Sequence, residues 1–182
     1  MKTLNMTAIA ASLLTITLIG CSSKPDTVSS TWEHEPLVVF LTRHGEKADL
    51  SEDPELSAAG RERAMVLART LRSAQIEYIH SSDFIRTRNT AAPTAAEYSL
   101  EMELYDHQDL HSLVEKLRRT GGRHLVVGHS TTTPQMVELL GGEPISAINE
   151  GEFDRLYIVT IDRDGSARSV LLRYGKPYHP DQ

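Results

Sequence analysis

The stretch "LVVFLT", Leu37 to Thr42, is an apolar, β-branched run with no alternation of polarity. A half-buried strand alternates; one that is apolar throughout must be covered on both faces. That demand points to a sheet packed between two layers of helices, the product of repeated strand–helix units. The rest of the chain supplies such units. "LSAAGRERAMVLARTLRSA" follows, with Ser57 placed as an N-cap and Ala64, Leu67, Ala68 and Leu71 at helical spacing. "IEYIHS" reads as a second strand and "DFIRTRNTAAPTAAEY" as a helix that Pro93 kinks or interrupts. A short strand "EMELYD" comes next, then a helix from about Asp109 to Arg119. "HLVVG" is another buried strand, and "TPQMVELLGG" a helix with Pro134 in its first turn and Gly141 at its end. "RLYIVTID" and "ARSVLLRY" flank the turn sequence "RDGS", which predicts a closing hairpin. The expected fold is one α/β domain over residues 37–182. It is a three-layer α/β/α sandwich with a mainly parallel central sheet, without internal repeats.

The front of the chain belongs to another class. Lys2 precedes an apolar stretch, Ala8 to Gly20, too short to span a bilayer comfortably. It ends in "LIGC", where Cys21 is the only cysteine of the chain. This resembles the lipobox of bacterial lipoproteins, with an ordinary secretory signal as the alternative. The resemblance implies that residues 1–20 are a signal peptide and that Cys21 becomes a lipidated first residue. Ser22, which is not an aspartate, implies an outer-membrane anchor facing the periplasm. Residues 21–36 are polar and lack apolar periodicity, as expected of a flexible tether, with Trp32 free to dock on the domain or on lipid. One cysteine leaves no internal disulfide, so the core alone must stabilise the domain. The formal net charge of -6 argues against nucleic acid as a partner. A small phosphorylated ligand needs only a few well-placed cations and is compatible with it.

In an α/β sheet, ligands bind beyond the carboxyl ends of the strands. The first strand ends in Arg43, His44 and Gly45. The second leads into "SSDFIRTRNTA", which places Arg86 about one turn into a helix and Thr90 one turn further on the same face. "HLVVG" delivers His129 and Ser130, followed by threonines at a helix start. Two arginines and two histidines therefore project towards one edge, where helix N-termini add N–H donors. The pattern is that of a phosphate cradle.

These segments resemble the histidine phosphatase superfamily, the phosphoglycerate mutase-like branch. "RHG" (Arg43 to Gly45), "ELSAAGRERA" (Glu55 to Ala64), "SSDFIRTRNTA" (Ser81 to Ala91) and "VVGHS" (Val126 to Ser130) are similar to its motifs and stand in its order. The resemblance implies that His44 is the nucleophile, forming a phosphohistidine. It implies that Arg43, Arg86 and His129 hold the phosphoryl oxygens, with no metal or other cofactor required. Thr90 and Glu46 are further candidates for the substrate site, Glu46 either orienting Arg43, assisting a proton or forming a surface ion pair. A proton donor is expected after the second arginine. Glu103, Asp106 and Asp109 are the candidates, with Asp106 preferred because it follows a short strand. His107 and His111 have the spacing of a helical zinc pair but lack a nearby third ligand in sequence. The reading is a lipid-anchored, periplasm-facing phosphatase acting on a small phosphorylated substrate. The short stretch between Arg86 and His129 lacks the insertions of a mutase. A phosphate-binding or envelope-interaction lipoprotein without efficient turnover is the alternative from another class.

Overall fold

The structure, a computed structural model, describes residues 36–180. The leader, Cys21 and the tether up to residue 35 lie outside the described residues. Among the described residues no helix is long and apolar enough to cross a membrane.

Strands and helices follow in the order β1 (Leu37–Arg43), α1 (Ala58–Leu71), β2 (Tyr78–Ser82), α2 (Ile85–Tyr98), β3 (Met102–Tyr105), α3 (Leu110–Thr120), β4 (Arg123–Gly128), α4 (Thr132–Leu139), β5 (Arg155–Ile161) and β6 (Ala167–Arg173). They build one six-stranded sheet in the order β3-β2-β4-β1-β5-β6. β3, β2, β4 and β1 run parallel, while β5 is antiparallel to both β1 and β6. The continuous apolar character of β1 has its expected cause. Val39 and Leu41 pack with α3 and α4 on one face, and Phe40 packs with α1 and α2 on the other. The mainly parallel three-layer sandwich is thus the observed fold. β6 closes the sheet as the predicted hairpin partner, with Gly165 at φ 83° in its turn.

Two local readings need correction. α2 runs unbroken from Ile85 to Tyr98 with Pro93 inside it. Proline forfeits one helical hydrogen bond, but Thr87, Thr90, Ala91 and Thr94 bury one face of this helix on both sides of the proline. Tertiary packing thus carries the helix through. β2 begins at Tyr78, because Ile76 is a buried core side chain in the loop before it.

Candidate active site

The site follows from strand register. Arg43, the last residue of β1, pairs with Gly128, the last of β4, so the two strands end level. The His44 N–H donates to the Gly128 carbonyl at 2.9 Å, carrying the alignment one residue further. His44 and His129 therefore leave the sheet side by side, their rings 5.5 Å apart and edge to face. β2 ends beside them, and its Ser82 hydroxyl lies 2.8 Å from His129 Nε2.

The backbone after His44 is held by close packing on α1. A Cβ on Gly45 would lie 2.9 Å from the Gly60 carbonyl, and one on Gly60 only 2.3 Å from the Glu46 carbonyl. Nothing larger than glycine fits at Gly60 without moving backbone. Thr90 secures the same turn from α2, accepting the Gly45 N–H at 2.9 Å while its own hydroxyl donates to the Arg86 carbonyl.

Two guanidinium groups complete the cleft, each lying on a phenylalanine. Arg43 is 4.1 Å from the centre of the Phe153 ring and Arg86 is 4.3 Å from that of Phe84, cation–π distances. Arg43 Nη1 donates to the carbonyls of Asn149, Glu150 and Glu152, which fixes the fork from one side. Arg86 is turned by Asp53, whose carboxylate also accepts the Ile85 N–H at the start of α2. Even so, the Nε atoms of both arginines are buried with no partner among the described residues. Leaving such donors unpaired costs roughly 1–3 kcal/mol each. The cavity they border has a volume of about 430 Å³ and is also lined by His44, His129, Lys47, Glu52 and Glu150.

Burial sets the protonation of the rings. It pushes His44 down to about 3, with Arg43, His129 and Arg86 adding in the same direction against the Gly45 carbonyl. Burial likewise lowers His129 to about 4, helped by Arg86, His107 and Arg43. Both rings are neutral at pH 7. A carbonyl can only accept, so His44 Nδ1 carries the proton that bonds Gly45 O at 2.8 Å. Its Nε2 keeps the lone pair. The Ser82 hydroxyl donates to Thr87 and can accept from His129 Nε2, which puts the His129 proton on that nitrogen. Arg43 is lowered by burial to about 10 and remains a cation.

A neutral imidazole with a free lone pair, faced by two cations with orphaned donors, is a site for a nucleophilic attack on an anionic centre. The model of one family matches residues 39–111, which include Arg43, His44 and Arg86 but not His129. It is the histidine phosphatase superfamily (branch 1). Solved structures share the fold. A protein histidine phosphatase, SixA, complexed with tungstate superposes with a TM-score of 0.61 at 20% identity, covering 75% of this chain and 96% of its own. A mycobacterial glucosyl-3-phosphoglycerate phosphatase gives 0.61 at 16% identity, with coverage of 77% and 99%. YhfR of Bacillus stearothermophilus gives 0.60 at 15% identity, with coverage of 71% and 93%. No curated protein matches the sequence significantly.

Arg43, His44, Arg86 and His129, the four candidates at strand ends and a helix start, all border the cleft. Other candidates are placed elsewhere. Asp106 does not line it; its carboxylate accepts the Gln108 N–H at 2.8 Å and borders a separate depression beside Leu104 and Lys116. Glu103 is held by Lys116 at 2.5 Å and Asp109 caps α3 through Ser112, so neither of these replaces it. Glu46 is gripped by Arg63 through both oxygens, and Arg63 continues to the carbonyls of Tyr174 and Lys176. This ties the loop after His44 to the chain's end and leaves Glu46 out of the substrate site. Thr90 is fully buried and supports Gly45 instead of meeting a ligand.

His107, next to Asp106, does turn to the site: its ring is 5.8 Å from His129 and 5.2 Å from Phe84. Among the described residues no group of three or more His, Cys, Asp or Glu is placed to hold a metal ion. Sequence reasoning missed the platform of Phe84 and Phe153, the Asn149–Glu152 carbonyls and Asp53. One signal was available: the chain has only three phenylalanines, and two of them directly precede or stand within charged segments of the cleft.

Proposed function

We propose that this protein is a phosphatase that hydrolyses a phosphomonoester or related phosphoryl group through a phosphohistidine at His44. The observation that carries the reading is one cleft lined by a neutral imidazole, His44, and by the guanidinium groups of Arg43 and Arg86. Phosphoryl transfer needs chiefly positioning and charge stabilisation, and these groups supply both. His44 Nε2 attacks phosphorus, the bond to the leaving oxygen breaks with its electron pair, and that oxygen takes up a proton. Water then attacks the phosphohistidine, the N–P bond breaks, and phosphate leaves with His44 restored. Arg43 and Arg86 hold the phosphoryl oxygens throughout. A phosphoryl dianion beside His129 favours a second proton on that ring, at Nδ1, where it donates to the transferring oxygens. No metal is required, since the arginines neutralise the charge. Neighbours of the same fold carry tungstate, vanadate and inorganic phosphate, oxyanions of this shape, which supports the reading.

Rapid quenching during turnover of a radiolabelled substrate, followed by peptide mapping, tests it. The label is expected on His44 in an acid-labile, base-stable linkage. Label on Ser130 or on a threonine of the "STTT" segment would overturn the mechanism. Stoichiometric binding of phosphate with no turnover of any monoester would favour the second reading, a phosphate-binding lipoprotein, which gains weight because Asp106 is absent from the cleft.

The same proposal places the domain on the periplasmic face of the outer membrane, tethered through lipidated Cys21. The "LIGC" sequence is the support for it. Cys21→Ser is expected to release the protein from the membrane fraction or block its maturation. Wild-type protein recovered without label from the soluble periplasm after labelled-palmitate feeding would refute the anchor.

A further inference from the structure

Beside the cleft runs a second depression that the phosphoryl chemistry does not use. It is a shallow groove of about 390 Å³ between α3 and α4, lined by His107, His111, Gln135 and Glu138 above Leu110 and Leu139. Its volume falls in the range of small-molecule sites. Continuity with the cleft is given by three imidazoles in succession: His44 to His129 at 5.5 Å, then His129 to His107 at 5.8 Å. Phe84 braces both of the latter rings edge to face, at 5.0 Å from His129 and 5.2 Å from His107. His129 lines the cleft and His107 lines the groove, so the two cavities meet neighbouring rings. A substrate whose phosphoryl group lies against His129 has the groove directly beyond it.

We propose that this groove is the leaving-group subsite, and that it takes an uncharged, hydroxyl-rich group such as a sugar or polyol. The proposal rests on the phosphatase reading and deepens it. The chemistry of the lining selects the class. Two imidazoles, the amides of Gln108 and Gln135 and a carboxylate offer both donors and acceptors, as hydroxyl groups require. The two leucines offer an apolar floor for the carbon face of such a ligand. Among the described residues lining the groove there is no Lys or Arg, while Glu138 brings a negative charge. A leaving group bearing a carboxylate or a second phosphate would meet that charge with no partner. Glu52 and Glu150, which line the cleft, act in the same sense and outnumber the one lysine there, Lys47. Selectivity by repulsion of this kind needs no tight binding of the favoured ligand.

The test compares kcat/KM of the full-length protein for three alkyl phosphates: a hexitol phosphate, ethyl phosphate and 3-phosphoglycerate. Ethyl phosphate is too short to enter the groove and serves as the internal reference. Wild type should prefer the hexitol phosphate to ethyl phosphate and disfavour 3-phosphoglycerate. Gln135→Ala and His107→Ala should each lower the hexitol-to-ethyl ratio by about tenfold, the scale of one lost polar contact. Glu138→Lys should raise the 3-phosphoglycerate-to-ethyl ratio by a similar factor. Both side chains on α4 are exposed, so these variants should fold, and circular dichroism would check it. Ratios unmoved by all three variants would overturn the subsite while leaving the phosphatase reading intact. A wild-type preference for 3-phosphoglycerate would overturn the ligand class. Wild type that neither binds vanadate nor hydrolyses any monoester would overturn the phosphatase reading and the subsite together.

Discussion

The chain folds two pairs of histidines into its sheet, His44 with His129 and His80 with His124. Burial lowers all four, to about 3 for His44, about 4 for His129 and His80, and in the same direction for His124. The hydrogen-bonding partners of the two pairs differ. His124 Nε2 donates to the Gly121 carbonyl at 2.7 Å, so its Nδ1 accepts from His80 Nε2 at 3.0 Å. Tyr78 stacks on His124 at 4.6 Å, and the remaining His80 nitrogen faces Glu103, itself neutralised by Lys116. That pair is nearly closed, with protein groups around each ring. At the strand ends the arrangement is open: His44 Nε2 keeps a lone pair, and Arg43 and Arg86 each bury an Nε with no partner among the described residues. Perturbed protonation is thus shared by a structural pair and a reactive one. Unsatisfied donors separate them.

Variants can break this comparison. His44→Ala should produce the largest effect, cutting turnover of any monoester by roughly three orders of magnitude or more, because it removes the Nε2 lone pair that the proposed attack uses. His124→Gln should leave kcat within a few-fold of wild type. Equal losses of activity in the two variants would show that the pairs are not distinct.

Acid should act next most strongly. His44, His80 and His129 are neutral in the native state, whereas an unfolded histidine titrates near 6.5. The unfolded chain therefore binds protons first as pH falls. This stability is complete above about pH 6.5 and is lost towards the folded-state values near 4 and 3. The loss is about 1.4 kcal/mol per pH unit for each ring. Denaturant melts between pH 7 and pH 5 would show the slope, and a flat profile would contradict the neutral assignments. NMR titration sharpens the contrast: saturating phosphate should raise the pKa of His129 and leave His80 and His124 where they were.

Arg86→Ala should weaken vanadate binding by about 1.5–3 kcal/mol, the usual worth of hydrogen bonds to a charged group, and titration calorimetry in chelator would measure it. A dependence of wild-type binding on divalent metal would refute the arginine-only account. The smallest effect expected is on stability in His124→Gln, about 1–3 kcal/mol from an imidazole left without its partner, read as a shift of the denaturant midpoint with unchanged vanadate affinity.

Much of the cleft was legible in the sequence because strand ends are local features. An apolar run that stops at Arg43 or Gly128 must deliver its next residue to the sheet edge, so His44 and His129 could be placed from pattern alone. Arg86 could be placed one turn into its helix for the same reason. Glu46 and Thr90 carry the same neighbourhood signal, yet of the roles open to Glu46 the structure shows the ion pair, and Thr90 supports the Gly45 backbone. Their side chains are claimed by Arg63 and by the Gly45 backbone, partners that sequence distance hides.

By itself, then, the sequence determined the layers, the mainly parallel sheet and the four residues at strand ends and a helix start, since periodicity and chain direction decide these. Only the tertiary structure decided what surrounds them. Arg43 is oriented by carbonyls more than a hundred residues further along the chain, in a loop that has no periodicity to read. Between β3 and α3, Asp106 turns to its own backbone and His107 turns to His129. Neighbouring loop residues face where local turns send them, and which one meets the cleft is settled by the packing of Phe84 and α4 around it.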